Sequence, residues 1–194
     1  MQDNAYWDIA VHDSTYGIIV HNYAISTTVD WGRGVDLELN ILVGTQTGVA
    51  QLVAQEIELR LDGEGVRIKT LLMDDIDASV FSGSGVFLVC TSTYGQGDVP
   101  DGAQPFYDQL LQQRPDLSAV RYGLIGLGDK GTHAATFCFA AKKFDKILGE
   151  LGAVRIGEPL FNDSNTELPE DEAAEWMEEW IVLCRSQLGI EASA

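Results

Sequence analysis

Three observations predict an α/β chain, a doubly wound five-stranded parallel sheet with helices on both faces. From Leu37 onward, short apolar runs alternate with amphipathic stretches, the pattern of repeated strand–helix units. The run Val86-Phe87-Leu88-Val89-Cys90 is continuously apolar, as a strand buried on both faces requires. Loops rich in Thr, Ser, Gly and Asn follow the strands at Thr45–Gly48, Thr91–Gly102, Gly128–His133 and Asn162–Asn165. A parallel sheet gathers such loops at its carboxyl edge, where ligands sit.

Taken in order, Leu39–Gly44 is the first strand, and Gly48–Leu61 the first helix, with Val49, Val53, Ile57 and Leu61 on one face. Gly65–Leu71 alternates as strand two, and Val86–Cys90 is strand three. Ala103–Gln113 is a helix that stops before Pro115, and Val120–Leu127 is strand four. Ala134–Leu151 reads as one long helix closed by Gly152. Val154–Phe161 is strand five. Glu170–Leu188 is the last helix, opened by Pro169 and acidic residues. Its apolar side carries Ala173, Trp176, Met177, Trp180, Ile181 and Cys184, a stripe suited to docking on a core.

Residues 1–37 stand outside this alternation and are read as an N-terminal extension, with residues 38–194 as the folded domain. The extension holds Tyr6, Trp7, Tyr16, Tyr23 and Trp31, half of the chain's 6 Tyr and 4 Trp. Alternation over Tyr16–Ile25 allows a hairpin. A poorly ordered extension, or sequence upstream of the natural start, is the favoured reading.

Charge and cysteine content bound the function. The net charge of −18, from 30 acidic and 12 basic residues, repels nucleic acid and anionic membranes. It favours a basic protein partner and also serves solubility. No apolar run has the length of a membrane span, and Met1-Gln2-Asp3-Asn4 does not open a secretory signal, so a cytoplasmic location is expected. Cys90, Cys138 and Cys184 are widely spaced and odd in number, which suits buried reduced thiols better than disulfides or zinc.

Ile41-Leu42-Val43-Gly44-Thr45-Gln46-Thr47-Gly48-Val49-Ala50 carries the sharpest chemistry. A buried strand runs through a hydroxyl-rich turn directly into a helix, whose N-terminus offers unpaired N–H groups to a phosphate. The turn has no Lys or Arg, unlike a P-loop, and no Gly-x-Gly-x-x-Gly. Hydroxyls and amides alone suit a single terminal monophosphate. After strand three, Thr91-Ser92-Thr93-Tyr94-Gly95-Gln96-Gly97-Asp98 sets an aromatic plane beside two glycines that permit close backbone approach. After strand four, Gly126-Leu127-Gly128-Asp129-Lys130-Gly131-Thr132-His133 leads through Ala134-Ala135-Thr136 to Phe137-Cys138.

These segments, in this order, resemble the flavodoxin family, in particular MioC-type flavodoxins and the FMN domains of diflavin reductases. Thr45-Gln46-Thr47-Gly48 resembles the phosphate loop, Ser92–Asp98 the first ring-binding loop, and Gly126–Asp129 with Phe137-Cys138 the second. Leu168-Pro169-Glu170-Asp171, followed by Trp176 and Trp180, resembles the MioC-type C-terminal helix. The likeness spans about residues 38–188. It implies a flavodoxin-like fold and flavin mononucleotide (FMN) as cofactor. The implied contacts are Thr45, Gln46, Thr47, Gly48, Val49 and Ala50 at the phosphate; Ser92, Thr93, Tyr94, Gly95 and Gly97 in the first ring loop; and Leu127, Gly128, Asp129, His133, Phe137, Cys138 and Asp163 around the second. Val49 stands where the family usually has Thr, a missing hydroxyl worth about 1.5–3 kcal/mol at most. The family's second covering Tyr is replaced by His133, which either stacks on the ring or lies on the surface at the helix start.

The resemblance implies a one-electron carrier rather than a self-sufficient enzyme. A separate basic-surfaced NAD(P)H flavodoxin reductase would fill it and an unidentified acceptor enzyme would empty it. Because no NADPH- or FAD-binding half follows before Ala194, a complete diflavin reductase is not expected. A peptide near Gly95 can turn to meet the flavin, and an acidic, aromatic surrounding should hold the last potential low. The alternatives are an NAD(P)H-dependent FMN or quinone reductase, a binding module that has lost FMN, and a phosphoacceptor receiver. The receiver needs an Asp where Thr91-Ser92-Thr93 stands.

Overall fold

In the computed structural model, residues 35–63, 65–83, 85–165 and 169–190 are described. The expected hairpin at 16–25 lies outside them. Strand β1 (Val35–Gly44) leads to helix α1 (Val49–Leu61), β2 (Gly65–Leu72) and β3 (Val86–Ser92). Then come α2 (Gln104–Gln113), β4 (Arg121–Gly128), α3 (Phe139–Glu150), β5 (Val154–Arg155), β6 (Leu160–Asp163) and α4 (Pro169–Leu188).

All pairings are parallel, in the order β2-β1-β3-β4-β5, with β6 also on β4. The chain leaves β1 on one side for β2 and returns on the other as β3, so the switch point lies between the carboxyl ends of β1 and β3. Val35 already pairs with Gly65, so β1 starts ahead of the expected strand.

Period-two alternation divides the core. Leu39, Ile41, Val43, Leu88, Cys90 and Ile125 join α1 and α4 on one face. Leu42, Phe87, Val89, Tyr122 and Leu124 join α2 and α3 on the other. Arg60 of α1 pairs with Glu56 at 2.5 Å and with Asp171 of α4, which ties the two helices of the first face together.

Two expectations are corrected. Strand five is two pieces, Val154–Arg155 and Leu160–Asp163, which take successive places along β4. Between them Gly157 adopts φ 68, and Pro159 has no N–H for a ladder. The long helix expected over Ala134–Leu151 is a 3-10 turn, Ala134–Thr136, and then α3 from Phe139. Cys138, at φ 54 and ψ 30, breaks the run.

Cys90, Cys138 and Cys184 are all buried, and burial pushes each thiol up to about 12. With almost no thiolate at pH 8, the folded protein should release no chromophore from a disulfide reagent, and the denatured chain should release it from all three. Fast labelling of the folded chain would contradict the burial.

Candidate functional site at the carboxyl edge

The turn after β1 leads directly into the N-terminus of α1. Gly48, at φ 91, caps α1 in the left-handed region that glycine favours. Its N–H donates to Thr45 Oγ1 at 2.9 Å, which closes the turn. The first helical bond runs from Leu52 N–H to the Gly48 carbonyl at 3.0 Å. The N–H groups of Val49, Ala50 and Gln51 therefore have no partner within the helix. Gln46 and Thr47 are exposed, whereas Ala50 is fully buried and can offer only its backbone. Val49 packs its side chain against the core, as its place on the apolar face of the first helix leads one to expect.

Gln46 turns toward the loop after β3. Its Oε1 accepts from Asp101 N–H at 3.0 Å, and its Nε2 donates to Asp101 Oδ2 at 3.3 Å. Ser92 Oγ adds a bond to the Gly44 carbonyl at 3.4 Å. The two loops that flank the switch point are thus fastened to each other.

The loop after β3 is a tight turn. Tyr94 and Asp98 bridge through both backbone bonds, at 3.0 and 2.7 Å, with Gly95 at φ 54 and Gly97 at φ 99 inside the turn. Tyr94 is 50% exposed, which leaves its ring free for a flat ligand. Thr93 faces inward: its N–H donates to the Leu127 carbonyl at 2.9 Å and its Oγ1 accepts from Ala140 N–H at 3.3 Å. A Cβ at Gly97 would lie 3.0 Å from the Phe139 ring, so that glycine serves the fit of the turn against α3.

The loop after β4 forms the facing wall. Asp129 Oδ1 accepts from Thr132 N–H at 2.7 Å, and this bond, chiefly, holds its carboxyl below the usual range. Thr93, Tyr94 and Gly95 on one side and Gly128, Asp129, His133 and Thr136 on the other enclose a cleft of about 300 Å³. Gly128 must be glycine, because a Cβ there would lie 2.9 Å from Cys138 N.

Several expected site residues act behind this cleft. Leu127 and Cys138 are fully buried, and Cys138 Sγ donates to the Gly126 carbonyl at 3.2 Å. Phe137 packs on Gly128. Asp163 Oδ1 accepts from Lys130 N–H at 3.4 Å and Asn165 N–H at 3.2 Å, so it fastens the second loop. Ser164, Thr136 and Asp101 were missed as site residues by sequence reasoning. Ser164 donates its N–H and Oγ–H to the Gly128 carbonyl at 2.8 and 3.0 Å. Its place in Asn162–Asn165, a loop that follows a strand, was the available clue.

A flavodoxin family model matches residues 41–176, a span that contains the phosphate turn and both loops. The chain belongs to the flavodoxin family. This flavodoxin is 40% identical to protein MioC of Escherichia coli O157:H7 over 152 residues, covering 76% of this chain and 99% of MioC. It is 36% identical to flavodoxin YqcA of Escherichia coli K12, covering 75% of this chain and 97% of YqcA. The structure of a cysteine-to-serine mutant of flavodoxin from Pseudomonas aeruginosa superposes with a TM-score of 0.67 at 31% identity, covering 76% of this chain and 98% of that one. Family membership makes FMN its cofactor. The donor set fits the cofactor: a helix N-terminus for one phosphate, and beside it a cleft with an exposed aromatic plane. Among the described residues no helix is long and apolar enough to cross a membrane.

Proposed function

We propose that this flavodoxin carries electrons from a separate NAD(P)H-dependent reductase to an acceptor enzyme. The observation that carries the reading is the cleft between the β3 and β4 loops, together with the N-terminus of α1 at the same carboxyl edge of the sheet. Thr45, Thr47 and the N–H groups of Val49, Ala50 and Gln51 would hold the FMN phosphate. Tyr94 would cover one ring face, His133 and the Gly128-Asp129 peptide the other, and the Gly95 peptide would meet the ring edge. FMN supplies stepwise transfer of single electrons when bound. The chain's own groups bind and orient it: Gln46 and Asp101 hold the phosphate seat and the first ring loop in register, while Asp163 and Ser164 brace the second. Such a site needs no acid, base or nucleophile from the protein.

Titration of the purified chain with FMN should give flavin absorption at one equivalent, and FAD should bind far more weakly, because the seat fits a terminal phosphate. Protein that takes up no FMN would sink the reading. Protein that oxidises NADPH unaided would favour the reductase alternative.

The −18 charge supports a basic reductase surface as the electron donor. Stopped-flow reduction by a flavodoxin reductase should slow as salt rises from 0.1 to 1 M, since the Debye length falls from about 10 to about 3 Å. Asp98 is the acidic group to reverse, because its ion pair with Lys143, at 3.5 Å, is exposed. Asp101 is unsuitable, since its reversal would also break the clasp with Gln46. The Asp98→Lys variant should flatten the salt dependence, and a salt-independent parent would assign the acidity to solubility.

A further inference from the structure

Away from the strand-end loops, the β5–β6 connection and the side of α4 enclose a second groove of about 290 Å³. Trp176, Trp180 and Leu183 line it, and Glu158 and Glu179 stand on it. The two indoles are stacked, with centroids 5.8 Å apart and planes 18° apart. Trp180 is the buried, fixed member: its Nε1–H donates to the Ile156 carbonyl at 2.8 Å. Trp176 is half-buried. Gly157 keeps the groove open, because a Cβ there would come within 2.9 Å of Leu183 Cδ2 and 3.6 Å of Trp180 Cδ1.

Packing explains Trp180 and the buried part of Trp176, but it does not explain why a half-buried indole and two exposed carboxylates share one groove. Indole faces attract cations through the ring quadrupole, and a guanidinium can also lie flat on the ring. A carboxylate next to the ring adds charge attraction and a bidentate acceptor. Glu158 lies 3.7 Å from Arg155 Nη2, but Arg155 is committed to Asp145 at 2.6 Å by Nη1. Glu175 and Glu178 on α4 are also exposed and deepen the negative field. We propose that this groove is a docking pocket for an arginine side chain on a basic protein partner. Stacking selects the planar guanidinium over the compact ammonium of lysine, and the acidic helix steers the basic surface that carries it. The pocket shares no residue with the flavin cleft, so the proposal stands apart from the flavin assignment.

The test uses the full FMN-loaded chain with ¹⁵N-labelled tryptophan and the peptide acetyl-Gly-Arg-Gly-amide, with acetyl-Gly-Lys-Gly-amide as comparison. The indole N–H resonances of Trp176 and Trp180 should shift saturably with the arginine peptide and need several-fold more of the lysine peptide. Glu158→Gln with Glu179→Gln should weaken the arginine response about three- to tenfold. Asp74→Asn with Asp75→Asn, which removes the same charge from other exposed positions, should leave it unchanged. Trp176→Leu should abolish the Trp180 shift. Even if that variant failed to fold, the glutamate pair is exposed and its substitution keeps the test decisive. No shift of either indole, an equal response to the lysine peptide, or equal weakening by the two double variants would overturn the proposal.

Discussion

Tyr94→Ala is expected to weaken FMN binding by about 1–3 kcal/mol, roughly 5- to 150-fold, the range found when an aromatic platform under a planar base is removed. The Tyr94 ring is half exposed at the mouth of the cleft and stands on a turn fixed by its own backbone bonds to Asp98. The backbone should therefore keep its shape when the ring is lost, and the thermal midpoint of the FMN-free protein should barely move. The FMN-induced rise in that midpoint should shrink, because stabilisation by a ligand follows RT ln(1 + [L]/Kd). Tyr94→Phe keeps the plane and should bind close to the parent. Unchanged affinity and flavin emission in Tyr94→Ala would place the ring outside the site.

Local pattern revealed much of this architecture, and its failures have physical causes. The strand, hydroxyl turn and helix of residues 41–50 were legible because each step has its own local chemistry. The division of faces was legible because the strands alternate. The break at Cys138 was not: the run from His133 to Leu148 contains no Gly or Pro to interrupt a helix, and nothing in a cysteine announces φ 54. The cause lies across the sheet. The nearly side-chain-free Gly126 and Gly128 bring the Phe137–Cys138 segment so close that a Cβ on either would lie within 3.1 Å of Cys138. The split of strand five was written in Gly157-Glu158-Pro159, but an apolar run on both sides hid it. The clasp between Gln46 and Asp101 joins residues 55 apart, a separation that no periodicity encodes. Sequence reasoning grouped the residues of the two loops, several of which line one cleft. It could not separate Tyr94, Gly128 and His133, which face the cleft, from Leu127 and Cys138, which support it, because that division depends on which way each side chain points.

The largest loss of stability is expected from Trp180→Ala, in a part of the molecule remote from the strand-end loops. Trp180 is 3% exposed, and its ring takes the space beside β4 that Gly123 leaves, where a Cβ would come within 2.5 Å of it. Its Nε1–H also satisfies the Ile156 carbonyl between β5 and β6. Removing a buried tryptophan costs about 3–5 kcal/mol, and an unpaired carbonyl adds to that unless water reaches it. A domain of this size has about 5–15 kcal/mol in total, so the variant would lose a large share of it. The midpoint should fall by roughly 6–20 °C, at about 2–4 °C per kcal/mol. Binding should respond differently. Trp180 lies against Gly123, Gly157 and Trp176 and donates to the Ile156 carbonyl, all away from the strand-end loops, so below the transition FMN should bind the variant with the parent's affinity. Tyr94→Ala and Trp180→Ala thus separate the site from the scaffold: one should change the FMN-induced rise and leave the FMN-free midpoint, and the other should do the reverse. If Trp180→Ala kept a midpoint within about 2 °C of the parent, the packing of α4 against β4 would not be the anchor of this edge of the sheet.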